Sequence, residues 1–144
     1  MAKDLADSVK KKLKEGWIRA WMAVEVLAVT KEAADSSLKK HIDMMSGEKD
    51  AIIYRKDFRD TKEAENPFKK GGKAYSKVVE LELVSRRFEN LVYIVMNYAP
   101  SSVEILEPAT LKMEVGEAQG ILNNLAELIH KFAQASRGCI AIDT

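Results

Sequence analysis

Apolar residues recur at every fourth position near the start of the chain: Leu5, Val9 and Leu13, with Ala6 beside them. Lys10, Lys11, Lys12 and Lys14 fall mostly on the other side, and Gly16 follows as a stop. This spacing predicts a helix over 3–15. The period then changes. Met22, Val24, Val26 and Ala28 alternate with Trp21, Ala23, Glu25 and Leu27. Alternation and valine content favour a strand over 18–30. Trp17, Trp21, Val24 and Ala28 also fit helical spacing, and an internal repeat described below decides for the strand.

Thr30 is placed to cap a helix over 31–46, with Ala34, Leu38, Ile42 and Met45 inward and Ser46-Gly47 at its end. Ala51–Phe58 reads as a second strand. Asn66-Pro67 and Gly71-Gly72, set among charges, predict a long solvated hairpin loop over 59–74. Tyr75, Val79, Leu81 and Leu83 alternate with Ser76, Glu80 and Glu82 in a third strand, 75–84. Ser85 is the expected cap of a helix over 86–98 carrying Phe88, Leu91, Val92, Val95 and Tyr98 on one side. Val103 and Ile105 predict a fourth strand, and Pro108 ends or bends it. Ile121, Leu122, Leu125, Leu128, Ile129 and Phe132 form the stripe of a helix over 116–135. Cys139–Ile142 reads as a short edge strand. Leu81, Leu83, Phe88, Val92, Leu125 and Ile129 are expected to share one core.

Ala23–Lys31 aligns with Val78–Arg86 at a constant offset of 55 positions. The apolar positions, a glutamate, a hydroxyl cap (Thr30, Ser85) and the base after it mostly coincide. Each copy continues through a helix and a small turn into another strand. The chain thus reads as two β-α-β units, about 18–58 and 75–108, in one α+β domain spanning 1–144 with an added helix at each end. Right-handed crossovers would put both central helices on one face of a four-stranded antiparallel sheet. The pattern resembles the ferredoxin-like superfold. That resemblance implies an architecture and no particular activity, because the fold hosts amino-acid-sensing, RNA-binding and metal-carrying domains alike. The marks of those branches are missing. Val29-Thr30-Lys31-Glu32 stands where a metal carrier would show paired cysteines and a sensing domain often shows glycine. Ser76, Val78, Glu80 and Glu82 stand where an RNA-recognition sheet would show aromatics.

Composition fits a globular chain: 144 residues, 47% hydrophobic and 31% charged. Lysine plus arginine number 23 against 22 acids, a formal net charge of +1. No whole-chain field therefore draws the protein to nucleic acid or to an anionic membrane. Cys139 is the single cysteine, so no intrachain disulfide forms. The first residues lack the apolar core of a signal peptide, and Trp21–Thr30 is too short to span a bilayer. The expectation is a cytoplasmic protein without membrane contact.

The chemistry candidates are few. His41 and His130 have no carboxylate or thiol at metal-ligand spacing, so a structural or surface role is expected for each, and Cys139 has no base beside it, so an inert thiol is expected. No catalytic residue, metal ligand or cofactor is predicted. Lys69, Lys70, Gly71, Gly72 and Lys73 form a candidate anion or nucleic-acid contact, two glycines baring backbone N–H groups among lysines. The spacing is not that of a Walker A loop. Between Arg55 and Lys77 eight bases face four acids, a local net charge of +4. Trp21, Leu27 and Val29 are the second candidate. Alternation points them away from the helices, onto a sheet face that calls for cover; the helices 3–15 and 116–135 could supply it within one chain or a second copy across a two-fold axis, and an oligomer interface is the favoured expectation. Glu25, Glu80, Glu82 and Glu104 share that face and require partners or a place at the rim.

The expected function is a non-enzymatic regulatory or small-ligand-binding domain that assembles with itself. The alternative is a nucleic-acid or ribonucleoprotein accessory protein using the basic hairpin 55–77. An enzyme ranks third, because no nucleophile, phosphate loop or carboxylate pair supports one.

Overall fold

A computed structural model describes residues 2–67 and 71–135. Their backbone falls into two compact units, divided between residues 109 and 110. In the first, helix α1 (Ala2–Lys14) precedes strand β1 (Ile18–Ala28), helix α2 (Lys31–Met45) and strand β2 (Ala51–Phe58). A short strand β3 (Lys62–Glu65), the long strand β4 (Lys73–Ser85), helix α3 (Phe88–Tyr98) and strand β5 (Ser102–Glu107) follow. The second unit holds helix α4 (Val115–Ala135). The protein is thus a mixed α+β chain with an antiparallel sheet and four helices among the described residues. None of these helices is long and apolar enough to cross a membrane. The tail 139–142, read above as an edge strand, lies outside the described residues.

The sheet runs β2-β4-β1-β5, with β3 paired to the start of β4. Every ladder is antiparallel. The two longest strands, β1 and β4, lie side by side at its centre, where each has a neighbour on both edges. Alternation sets which residues enter the core. Ile18, Ala20, Met22 and Val24 of β1, and Val79, Leu81 and Leu83 of β4, are buried. Helix α2 lays Ala34, Leu38, Ile42 and Met45 against β1 and β4, and α3 adds Leu91, Ile94 and Tyr98. Methionine and branched aliphatic side chains dominate, so burial of apolar surface is the main stabilising term, about 25 cal/mol per Å² removed from water.

Local signals explain the element boundaries. Gly16 closes α1 with φ 95°, a left-handed conformation that side chains disfavour, and the Trp17 N–H returns to the Lys12 carbonyl at 3.0 Å. Thr30 caps α2 as expected: its Oγ1 accepts from the Ala33 N–H at 3.0 Å. Four readings differ. The expected cap Ser85 belongs to β4, where it is fully buried and donates to the Arg87 carbonyl. Arg87 takes the cap position of α3, its N–H donating to Asn90 Oδ1 at 3.1 Å. The buried stripe of α3 is accordingly Leu91, Ile94 and Tyr98, with Phe88 and Val92 only half-buried and Val95 exposed. The stretch read as a loop over 59–74 contains β3, whose Lys62 and Glu65 stand opposite Ser76 and Lys73. Leu125 and Ile129, expected in the core, belong to the second unit and are exposed, at 40% and 48%.

Candidate functional site

The alternation that fills the core sends Arg19, Trp21, Ala23, Glu25 and Leu27 of β1 to the opposite face of the sheet. From β4 that face receives Ser76, Val78, Glu80 and Glu82. Three of the four glutamates noted in the sequence, Glu25, Glu80 and Glu82, acquire partners there. Glu82 stands at the centre. Its Oε1 accepts from the Tyr54 hydroxyl at 2.6 Å and from Arg19 at 3.2 Å, and its Oε2 accepts from Arg55 at 2.7 Å. Arg19 also donates to Glu107 at 2.6 Å. Glu80 accepts from Arg59 at 2.9 Å and from the Trp21 indole N–H at 3.2 Å. Ser76 donates to Glu25.

Two β-bulges make this network. The register of β2 on β4 shifts between Ile53 and Arg55, so Tyr54 and Arg55 both reach Glu82. The register of β5 on β1 shifts beside Arg19, which places Glu107 opposite Arg19. Without that shift, alternation would place Leu106 there. The extra residue in each ladder delivers a polar group to the same arginine–glutamate cluster from the sheet's two outer strands.

The electrostatics follow from these contacts. The Tyr54 hydroxyl, then the Arg55 and Arg19 charges, hold the Glu82 carboxyl below its usual range. Arg59 does the same for Glu80. Burial and the neighbouring Glu82 push the Tyr54 hydroxyl up. Both carboxylates are therefore acceptors at neutral pH, committed to arginine, and neither is poised to give up a proton. Among the described residues no group of three or more His, Cys, Asp or Glu is arranged to hold a metal ion.

The three apolar candidates separate. Trp21 is half-buried inside the network, between Glu82 on β4 and Glu104 on β5. Leu27 is 44% exposed near the end of β1, and Val29 just beyond it is 69% exposed. The basic hairpin is more neutral than its sequence suggests. Arg55 pairs with Glu82, Arg59 with Asp57 and Glu80, Lys73 with Glu63 at 3.2 Å, and Lys77 with Asp35 at 3.1 Å. Gly71 has φ 78°, and the Asn66 N–H donates to the Gly72 carbonyl at 3.2 Å, which closes the turn. Lys69 and Lys70 lie outside the described residues, as does Cys139.

His41 has a structural contact. Its Nε2 sits 2.7 Å from the Tyr98 carbonyl; an oxygen of that kind only accepts, so Nε2 carries the proton. The bond ties α2 to the last turn of α3. The Tyr98 hydroxyl donates to Glu48 at 2.7 Å, and that bond, with burial, pushes it up to about 12. His130 is exposed on α4. A small cavity of about 230 Å³ opens between Glu48–Ala51 and the α3 residues Asn90, Tyr93 and Ile94.

Sequence reasoning missed Arg19, Tyr54 and Arg59 as members of the sheet-face network. The available signal was the demand of four glutamates for cations, together with the position of Arg19 two residues before Trp21 on the same strand face.

Comparison with curated proteins and with solved structures finds no match. A family model does match, over residues 19–142, from the first arginine of the network to beyond α4; the chain belongs to the MJ0538 family.

Proposed function

We propose that this chain is a non-enzymatic, homo-oligomeric regulatory or small-ligand-binding domain on a ferredoxin-like frame, working in the cytoplasm through the open face of its sheet. The observation that carries this reading is the closed network on that face. Glu80 and Glu82 are bound to arginine, and the exposed apolar residues Leu27 and Val29 stand beyond it at one end of β1. Pre-ordered ion pairs make a rigid contact surface, while a catalytic site needs a group left poised for transfer. The strand order β2-β4-β1-β5, with α2 following β1 and α3 following β4, supports the ferredoxin-like frame.

The nucleic-acid reading has less support. Half of the hairpin's eight bases, Arg55, Arg59, Lys73 and Lys77, already face carboxylates, which weakens the local field such binding requires. Two measurements on the intact chain separate the readings. Leu27→Glu together with Val29→Glu should leave the circular dichroism spectrum unchanged and abolish ligand-induced stabilisation. Binding of a labelled single-stranded RNA that falls steeply with salt would favour the hairpin instead.

A further inference from the structure

We propose that α4 is the self-association element of this protein, and that it pairs antiparallel with α4 of a second copy so that Glu117 of each chain lies beside Lys131 of the other. The inference rests on the homo-oligomer reading above and assigns its interface to a different surface.

The helix has 21 residues, three heptads. With Ala118 set at position a, Leu125 and Phe132 are the other a residues, and Ile121, Leu128 and Ala135 are the d residues. Leu122 and Ile129 fall at e, and Glu117, Asn124 and Lys131 fall at g. The a, d and e positions are therefore all apolar, and no polar residue interrupts them. Yet Leu122 is 60% exposed, Ile129 48% and Phe132 66%. So wide an apolar stripe on a helix requires cover.

The two flanks decide what covers it and in which direction. In a parallel pair, g of one helix meets e of the other. That would set Glu117 against Leu122 and Asn124 against Ile129, charge and amide against aliphatic. In an antiparallel pair like flanks meet. Leu122 and Ile129 then close one side of the seam among themselves. On the other side Glu117 meets Lys131 twice, once at each end, and Asn124 meets Asn124 at the two-fold axis. Lys131 already pairs with Glu127 in its own turn at 3.2 Å, but both side chains are more than 60% exposed. Such a pair is weak, so Lys131 can turn to a second acid at little cost, and Glu117, which has a contact within its own chain, exchanges that contact for Lys131 of the second copy.

Three variants of the full chain test this by light scattering, with circular dichroism as the control on folding. Leu125→Glu at the centre of the seam should reduce the mass to that of one chain with helix content intact. Lys131→Glu should weaken association by roughly tenfold, since each variant copy loses an attraction and gains a repulsion. Adding Glu117→Lys should restore it to within a few-fold of wild type. Orientation has its own readout: Asn124→Cys in a Cys139→Ser background should form an intermolecular disulfide under mild oxidation. Failure of that cross-link, or of the charge-swap rescue, in a chain that still oligomerises overturns the antiparallel α4 pair. If Leu27→Glu separates the copies and Leu125→Glu does not, the interface is on the sheet, and the α4 assignment falls while the oligomer reading stands. A wild-type chain that is monomeric at high micromolar concentration overturns both.

Discussion

Val24 and Val79 stand directly opposite each other across the β1–β4 ladder, both fully buried, and they are also 55 positions apart, the offset at which the sequence repeats. Antiparallel pairing makes this pair the pivot. Around it Ala23 faces Glu80 and Glu25 faces Val78, so a rotation exchanging the two valines also exchanges each strand with the other. A local two-fold relation of that kind is what a duplicated β-α-β unit requires, and it supports the ferredoxin-like reading proposed above.

The pair is open to measurement. Val24→Ala and Val79→Ala should each destabilise by about 1–3 kcal/mol through lost burial and the space left behind. Because the side chains meet, the double variant should depart from additivity by about 0.5 kcal/mol or more in urea titrations. Strict additivity would place the two valines in separate packing environments.

Glu82 concentrates three donors on one carboxylate with 16% of its side chain exposed. Glu82→Ala would remove the partner of Arg55 and of the Tyr54 hydroxyl and leave Arg19 with Glu107 as its remaining carboxylate. The expected loss is about 1–2 kcal/mol, the low end for charged hydrogen bonds because water still reaches the arginines. Glu104, exposed on β5, has no such role, and Glu104→Ala should be near neutral.

The same contacts set an acid limit. The Glu80, Glu82 and Asp35 carboxyls are all held below their ordinary values, Glu80 by Arg59, Glu82 by the Tyr54 hydroxyl and Asp35 by Lys77. A carboxyl lowered in the folded state contributes stability that is complete above its unfolded value, 4.5 for the glutamates, and is lost as pH falls through the folded value. Tm should therefore hold steady above about pH 5 and fall below it. Glu82→Gln should flatten that acid limb, and an unchanged slope would mean that Glu82 does not contribute to it.

Leu83 and Leu125 provide a paired test of the two-unit division. Leu83 is 0% exposed on β4, and Leu83→Ala should cost about 2–5 kcal/mol. Leu125 is 40% exposed on α4, and Leu125→Ala should cost under about 1 kcal/mol of unfolding free energy measured on the isolated chain at low concentration. Equal losses would put Leu125 in the sheet core.

What was legible in the sequence follows from the period of each segment. β4 announces itself because one face is core and the other polar, so Leu81 and Leu83 alternate cleanly with Glu80 and Glu82, whereas β1 carries Trp21, Ala23 and Leu27 on its outer face and fits helical spacing too, so only the repeat decided it as a strand. β3 does not, because Lys62-Glu63-Ala64-Glu65 has no apolar face; it is a strand only because β4 continues past the sheet and offers a free edge. The α3 cap moved from Ser85 to Arg87 because β4 keeps Ser85 in its ladder, opposite Ile18 and Ala51. The stripe of α4 was readable, but an amphipathic period says that a face wants cover and not which surface supplies it. The arginine–glutamate network depended on two bulges, and a bulge at Tyr54 or Leu106 leaves no mark in residue type. Trp21 illustrates the consequence. Trp21→Glu, an obvious probe of an apolar face, would set a third acid between Glu82 and Glu104 and destabilise the sheet itself.

The most direct test of the account is the mass of the wild-type chain in solution. Multi-angle light scattering over a concentration series should give a stable multiple of the 16.1 kDa chain mass, with no reaction required to maintain it. A single-chain mass persisting to high micromolar concentration would contradict the homo-oligomeric reading.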